Sequence, residues 1–205
     1  AVTNTVASLS FRNLEWGVKE AKLLAELLPR CVALKHLDIS GNNEGDKGMR
    51  ALGEGLLASK SSKQIQTLIC SDIQLNANAV SLDLQSKESD RGLPGTAADR
   101  RYGPGAAVLI AAAMRTFMVS LTSIDLSHNL LEPMGAKALA PAIAGSATLT
   151  SLDISENMLS YCGSDMSGIT ALADVLRVNS SLTSLNVCGN TITGCGKAFG
   201  DALKT

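Results

Sequence analysis

Aromatic side chains are scarce in this 205-residue sequence, with one Trp, two Tyr and three Phe. A core built around large aromatic anchors is therefore excluded. The bulk must come from 30 Leu and 26 Ala, together more than a quarter of the chain, so the interior is made by repetition of small units. No excess of one charge is present either: 18 Lys and Arg face 19 Asp and Glu, and the two halves carry +1 and −2. Without a basic face, nucleic acid is not an expected partner. Long apolar runs are also missing. The longest, Ala106 to Met114, spans nine residues before Arg115, well short of the roughly 20 needed to cross a bilayer, so no membrane span is expected. The start of the chain has neither a basic n-region nor an apolar h-region, and no signal peptide is expected in it. Five cysteines, Cys31, Cys70, Cys162, Cys188 and Cys195, form no CxxC pair. An odd set of scattered thiols points to free cysteines in a reducing, intracellular (cytoplasmic) setting. The glycosylation sequon at Asn179 is accordingly taken as chance.

What the sequence does have is self-similarity. Segments starting at Leu34 (LKHLDISGNN), Leu121 (LTSIDLSHNL), Leu149 (LTSLDISENM) and Leu182 (LTSLNVCGNT) share the pattern LxxLx(L/I/V)xxN. A weaker copy starts at Ile65, and an incomplete one uses Val6, Leu9 and Phe11. Within a copy, residues such as Leu34, Leu37 and Ile39 fall on one side of a short strand. The stretch from Gly135 to Ile143 then repeats apolar residues at helical spacing. Neither element can bury its apolar side alone, so successive units must stack, each touching its neighbours. The asparagines at the ninth position, Asn42, Asn129, Asn157 and Asn190, are expected to satisfy buried turn backbone groups.

This pattern resembles the leucine-rich repeat, and its 28-residue period with GxxALAxxL after the Asn is similar to the ribonuclease-inhibitor-like class found in Ran GTPase-activating proteins and NOD-like receptors. The resemblance implies an α/β leucine-rich-repeat solenoid, a horseshoe with one parallel sheet on its concave face and helices on its convex face. Residues 1–205 then form a single domain of about six coils, part of a longer protein or assembly because neither end looks capped.

Two departures from the period mark insertions. The copy at Ile65 carries Ile73 in place of the ninth-position Asn, and an insertion near 74–103 follows it. That insertion holds a possible extra strand at Ala79 to Leu84 and then a polar stretch, Gln85 to Tyr102. A shorter insertion near 160–168 displaces the next helix. Both leave on the same rim. Pro133 suits a first helical turn, whereas Pro141 should shorten or kink its helix.

Catalytic constellations are not found. The fifth positions run Ser10, Asp38, Ile69, Asp125, Asp153 and Asn186, and strand spacing of roughly 4.8 Å could set Asp125 beside Asp153. Such a pair could raise one pKa or hold a cation, but a solvated polar row is the preferred reading. His128 and Cys188 fall two coils apart, roughly 10 Å by strand spacing, too far for a nucleophile–base pair. His36, His128 and the cysteines scatter over several coils and assemble no zinc ligand set. Gly41 to Gly48 (GNNEGDKG) lacks the Gly-Lys-Ser/Thr of a phosphate loop. No catalytic residue, metal or cofactor is expected, and the chain is not expected to be an enzyme.

The function expected is a scaffold or binding module for another protein, including one within a large assembly. Its contacts should come chiefly from the rim, through Arg91, Arg100, Arg101, Tyr102, Tyr161 and Met166. The strand face, with Asp38, Asp125, Asp153 and His128, comes second because it offers no Trp or Tyr and only Arg12 as arginine. The resemblance carries two alternatives, a regulator of an enzyme such as a GTPase-activating protein and the sensor domain of an innate-immune-type receptor.

Overall fold

The computed structural model describes residues 5–59, 62–87 and 101–191. Along the chain they form β1 (Ser8–Ser10), α1 (Val18–Leu27), β2 (His36–Asp38), α2 (Gly45–Ala58), β3 (Thr67–Cys70), β4 (Ile73–Asn76), β5 (Ser81–Asp83), α3 (Pro104–Thr116), β6 (Ser123–Asp125), α4 (Glu132–Ala144), β7 (Ser151–Asp153), α5 (Ser167–Val178) and β8 (Ser184–Asn186). This is an α/β repeat fold. Residues 192–205, with Cys195, lie outside the described residues.

Strand register follows the repeat. Leu9 pairs with Leu37 and Leu37 with Leu68, while Leu82, Ile124, Leu152 and Leu185 form a second column. Because alternate strand residues point the same way, these columns face the helices. Leu37, Leu68, Ile124 and Leu152 are fully buried there, against Leu52, Leu56, Leu109 and Ile110 of the helices. The first coil closes its apolar side with Phe11, whose ring stacks on Trp16 at 4.6 Å.

The helices pack on one another in chain order, α1 to α5. Close approach requires small residues where one helix meets its predecessor. Gly48 and Gly55 of α2 abut Ala21 and Ala25 of α1, and Gly105 of α3 abuts the Asp46 backbone of α2. Gly135 of α4 sits over Pro104 and Ala107 of α3, and Gly168 of α5 over Pro133 of α4. The motif GxxAxxxA, with Gly, Ala or Val in its last two places, therefore marks one flank of each of these four helices. Helix starts follow local chemistry. Glu20 Oε2 accepts the Gly17 N–H at 2.9 Å ahead of α1, Pro104 and Pro133 occupy first turns, and Asp165 Oδ1 accepts the Ser167 N–H at 2.9 Å. Pro141 does not shorten its helix: α4 runs on to Ala144 with Pro141 on its exposed side, where the missing N–H faces water.

The strand layer departs from the expected single parallel sheet. It consists of two four-stranded sheets, ordered β1-β2-β3-β4 and β5-β6-β7-β8. Strand β4 is antiparallel to β3, with Cys70 opposite Ile73, and Ser71 at φ 49° begins the two-residue turn between them. The residues that would have supplied a turn Asn and a helix instead fold back as a hairpin. Buried Ile73 and Leu75 stand beside exposed Gln74, so the hairpin is amphipathic like any half-buried sheet. The coil that starts at β3 thus has no helix, and α3 packs directly on α2. Part of the region expected as an insertion is a coil of its own, since β5 heads the second sheet.

Candidate protein-binding surface

Three features on the strand side and rim could carry function. The first is the row of asparagines behind the strands. Asn129 Oδ1 accepts the Tyr102 N–H at 2.9 Å, and its Nδ2 donates to Leu84 O and Leu126 O at 2.9 Å each. Asn157 accepts from Leu131 N–H and donates to Leu126 O and Ser155 O. Asn190 accepts from the N–H groups of Asn157 and Leu159. Each bridges its own coil and the one before it, so these side chains are committed to the fold, and Asn42 does the same for the first two coils. Asn179, which carries the sequon, donates to Ile143 O and Ser146 O at 2.7 and 2.9 Å.

The second feature is the aspartate row. Asp125 is the register partner of both Asp83 and Asp153, and Asn186 follows Asp153. Sequence reasoning placed Asp125 and Asp153 together but left out Asp83. The signal was present, because Ser81-Leu82-Asp83-Leu84 matches Ser123-Ile124-Asp125-Leu126. Asp38 belongs to the other sheet, next to Ile69, so the hairpin separates it from Asp125. In each case a carboxylate oxygen accepts the N–H two residues on: Ser40 for Asp38, Gln85 for Asp83, Ser127 for Asp125 and Ser155 for Asp153. For Asp153, burial works to raise the pKa. The Ser155 hydroxyl and amide, the Asn186 amide and nearby His128 outweigh it, leaving the carboxyl below its usual range. That is the reverse of the elevation a repelling carboxylate pair would give. Asp38 is likewise lowered, its bonds to Ser40 and the guanidinium of Arg12 at 3.4 Å overcoming burial. The row is a set of turn-forming acceptors. Among the described residues no group of three His, Cys, Asp or Glu could hold a metal ion.

His128 sits at the eighth position of its copy with φ 60°, the left-handed geometry that Gly41 and Gly189 adopt at the same position. The turn dictates that backbone, and His is among the residues that tolerate it. The strand order β6-β7-β8 keeps His128 and Cys188 two strands apart.

The third feature is a cleft of about 720 Å³ on the rim, formed where the hairpin replaces a helix. The hairpin turn (Ser71, Asp72) and the first turns of α2 (Asp46, Met49) make one wall. The entry to α3 (Arg101, Tyr102) and the start of α4 (Glu132, Met134) make the other. Asp46 is held in place by the Gly105 N–H at 2.6 Å. Exposed Tyr161 donates its hydroxyl to the Glu132 carboxylate, which raises the phenol pKa, and so joins the shorter insertion to the same cleft. Met166, expected as a contact residue, is half-buried against the core at the start of α5. Tyr102 is half-buried as well, its N–H on Asn129. Arg91 and Arg100 lie outside the described residues.

The four described cysteines are free. Burial, then the neighbouring Glu44 carboxylate, pushes the Cys70 thiol far above the ordinary range, while Cys162 and Cys188 are exposed. In native protein near pH 8, an aromatic disulfide reagent should therefore label Cys162 and Cys188 within minutes and leave Cys70 unlabelled. Unfolded, unreduced protein should titrate as five thiols. Three or one would show that disulfides form.

No curated protein matches the chain. Residues 31–53 and 118–140 match the Leucine Rich repeat family. Each match spans a strand, its turn asparagine and the first part of a helix, and with the repeated register around them they support a leucine-rich repeat protein.

Proposed function

We propose that this chain is a non-catalytic module that binds another protein through its rim cleft, with the strand face as a secondary contact. Leucine-rich repeat domains generally mediate protein–protein interaction. The observation that carries the choice of surface is the missing helix. A regular coil would close the rim at this point, whereas the β3–β4 hairpin leaves a concavity that gathers apolar (Met49, Met134), aromatic (Tyr102) and charged (Asp72, Arg101, Glu132) side chains. Such mixtures around a pocket are where binding energy concentrates. The aspartate row, by comparison, already spends acceptor capacity on its own turns. The 28-residue period and the helices α1 to α5 that follow β1, β2, β5, β6 and β7 favour the ribonuclease-inhibitor-like subclass, and the free thiols fit an intracellular setting.

Photo-crosslinking tests the surface. A benzoyl-phenylalanine placed at Met134 or Tyr161 should give adducts with one and the same protein in extracts of the native cell, and a probe at Leu57 on α2 should give none. Adducts from a probe at Ser151 but not from the rim would overturn the rim and return the partner to the strand face. Deleting Gln85 to Tyr102 is a poor substitute, because it removes the Asn129 donor at Tyr102 and would lower stability. A clean loop deletion stops at residue 100.

A further inference from the structure

The flank that α2 to α5 turn towards the preceding helix is made of Gly, Ala and Val, but in α1 the same three positions are Glu20, Leu23 and Leu27. Leu23 and Leu27 are 52% and 50% exposed. No helix precedes α1 among the described residues, and these side chains are too large for one to approach as closely as the others do. At the position matching Leu27 the later helices carry Gly55, Ala112, Ala142 and Val175, all smaller than Leu, and a methyl group on Gly55 would stand 2.6 Å from the Ala25 carbonyl oxygen. The α1 flank is thus unlike theirs, and its two leucines, one turn apart, stand exposed on an ordered helix.

The flank is complementary to itself. Glu20 lies three residues before Leu23, and Arg30, exposed at the end of the 3-10 turn that extends α1, lies three residues after Leu27. If two α1 helices run antiparallel about a two-fold axis level with Ala25, Leu23 of each packs on Leu27 of the other. Each Glu20 then meets an Arg30. Leucines of this size suit an ordinary interaxial distance of roughly 8–10 Å, and a two-fold contact uses one patch twice. We propose that a second copy of this chain docks here, α1 against α1, through Leu23 and Leu27 with Glu20–Arg30 pairs at both ends. Glu20 keeps its bond to the Gly17 N–H, and a carboxylate has acceptor capacity on both oxygens. The contact is smaller than the roughly 800 Å² per partner of a standard interface, so a Kd on the order of 100 µM is expected. This surface is separate from the rim cleft, and the inference does not depend on the rim's role.

Sedimentation equilibrium of the whole chain from about 10 µM to about 1 mM brackets that affinity. The expected result is a monomer–dimer equilibrium. The Leu23→Asp/Leu27→Asp variant, altered only at exposed positions, should keep its circular dichroism and melting curve and remain monomeric throughout. Arg30→Glu sets Glu20 against a new carboxylate and should weaken self-association at least tenfold, and Glu20→Lys should do the same with the sign reversed. Mixed in equal amounts, these last two variants restore both ion pairs and should associate again. A monomeric parent protein at about 1 mM, a dimer that survives the Asp substitutions, or a mixture that stays monomeric would each overturn the proposal.

Discussion

Asn129→Leu should lower the stability of the folded chain by about 3 kcal/mol or more, since each buried polar group left without a partner costs about 1–3 kcal/mol. Leu has the same branched shape and a larger volume, so none of the loss will come from a cavity. It comes from the Tyr102 N–H and the Leu84 and Leu126 carbonyls, which all lose a bond of 2.9 Å at a site only 1% exposed. Water cannot enter to replace the amide. Asp125→Asn is the matched control. It preserves an acceptor for the Ser127 N–H at 2.9 Å on a half-exposed face, and surface changes of this kind stay within about 0.5 kcal/mol. Urea titrations of the two variants measure the contrast through their midpoints. Equal shifts would mean that the asparagines are not what joins one coil to the next.

The second large effect runs against helix propensity. Gly105 lies inside α3, where Ala is intrinsically better by about 1 kcal/mol, so Gly105→Ala looks stabilising on local grounds. The new methyl would stand 1.8 Å from the Asp46 carbonyl oxygen and 2.7 Å from its carbonyl carbon. Those are backbone atoms of the facing helix and cannot rotate aside. Overpacking of this kind costs about 1–3 kcal/mol, and here the upper part of that range applies because α2 as a whole must move. A net loss of about 2 kcal/mol is expected, read as a fall in Tm. Gly145→Ala provides the opposite case: its nearest neighbour is the Pro141 carbonyl oxygen at 3.5 Å and its backbone is already right-handed. That variant should be neutral or slightly more stable through the unfolded chain. A Gly105→Ala protein as stable as the parent would show that the close approach of α3 to α2 does not depend on glycine.

Most of the repeat was legible because LxxLx(L/I/V)xxN joins two periods in one motif, alternation in the strand and helical spacing after it. The Asn bridges, the register of Asp125 beside Asp153 and the burial of Cys70 all follow from position within that motif. The β3–β4 hairpin was not legible. Its turn, Ser71-Asp72, has none of the Asn-Gly or Asp-Gly chemistry that marks a tight reversal. Ile73 was therefore read as a failed asparagine position and not as the first residue of a strand. The clue lay in alternation after the turn, with Ile73 and Leu75 apolar between the polar residues Asp72, Gln74 and Asn76. Missing the hairpin also hid Asp83, since β5 was treated as part of an insertion when it is a coil in register with β6. The rim cleft depends on the same hairpin, so of the contact residues singled out in the sequence only Arg101 and Tyr102 line it among the described residues, and its cause was hidden.

That hairpin also decides how the array bends. Adjacent helices lie roughly 8–10 Å apart and adjacent strands roughly 4.8 Å, so a regular coil, adding one of each, tilts the chain towards its strands. Between β2 and β5, however, the strand layer must hold β3 and β4 while the helix layer advances by the single step from α2 to α3. The two paired steps from β2 to β4 already come to roughly 10 Å, about one helix step, and the strand ladder then breaks between β4 and β5. The strand layer therefore gains no tilt over this step. A ligand that follows the strands of one sheet finds no continuous ladder into the other.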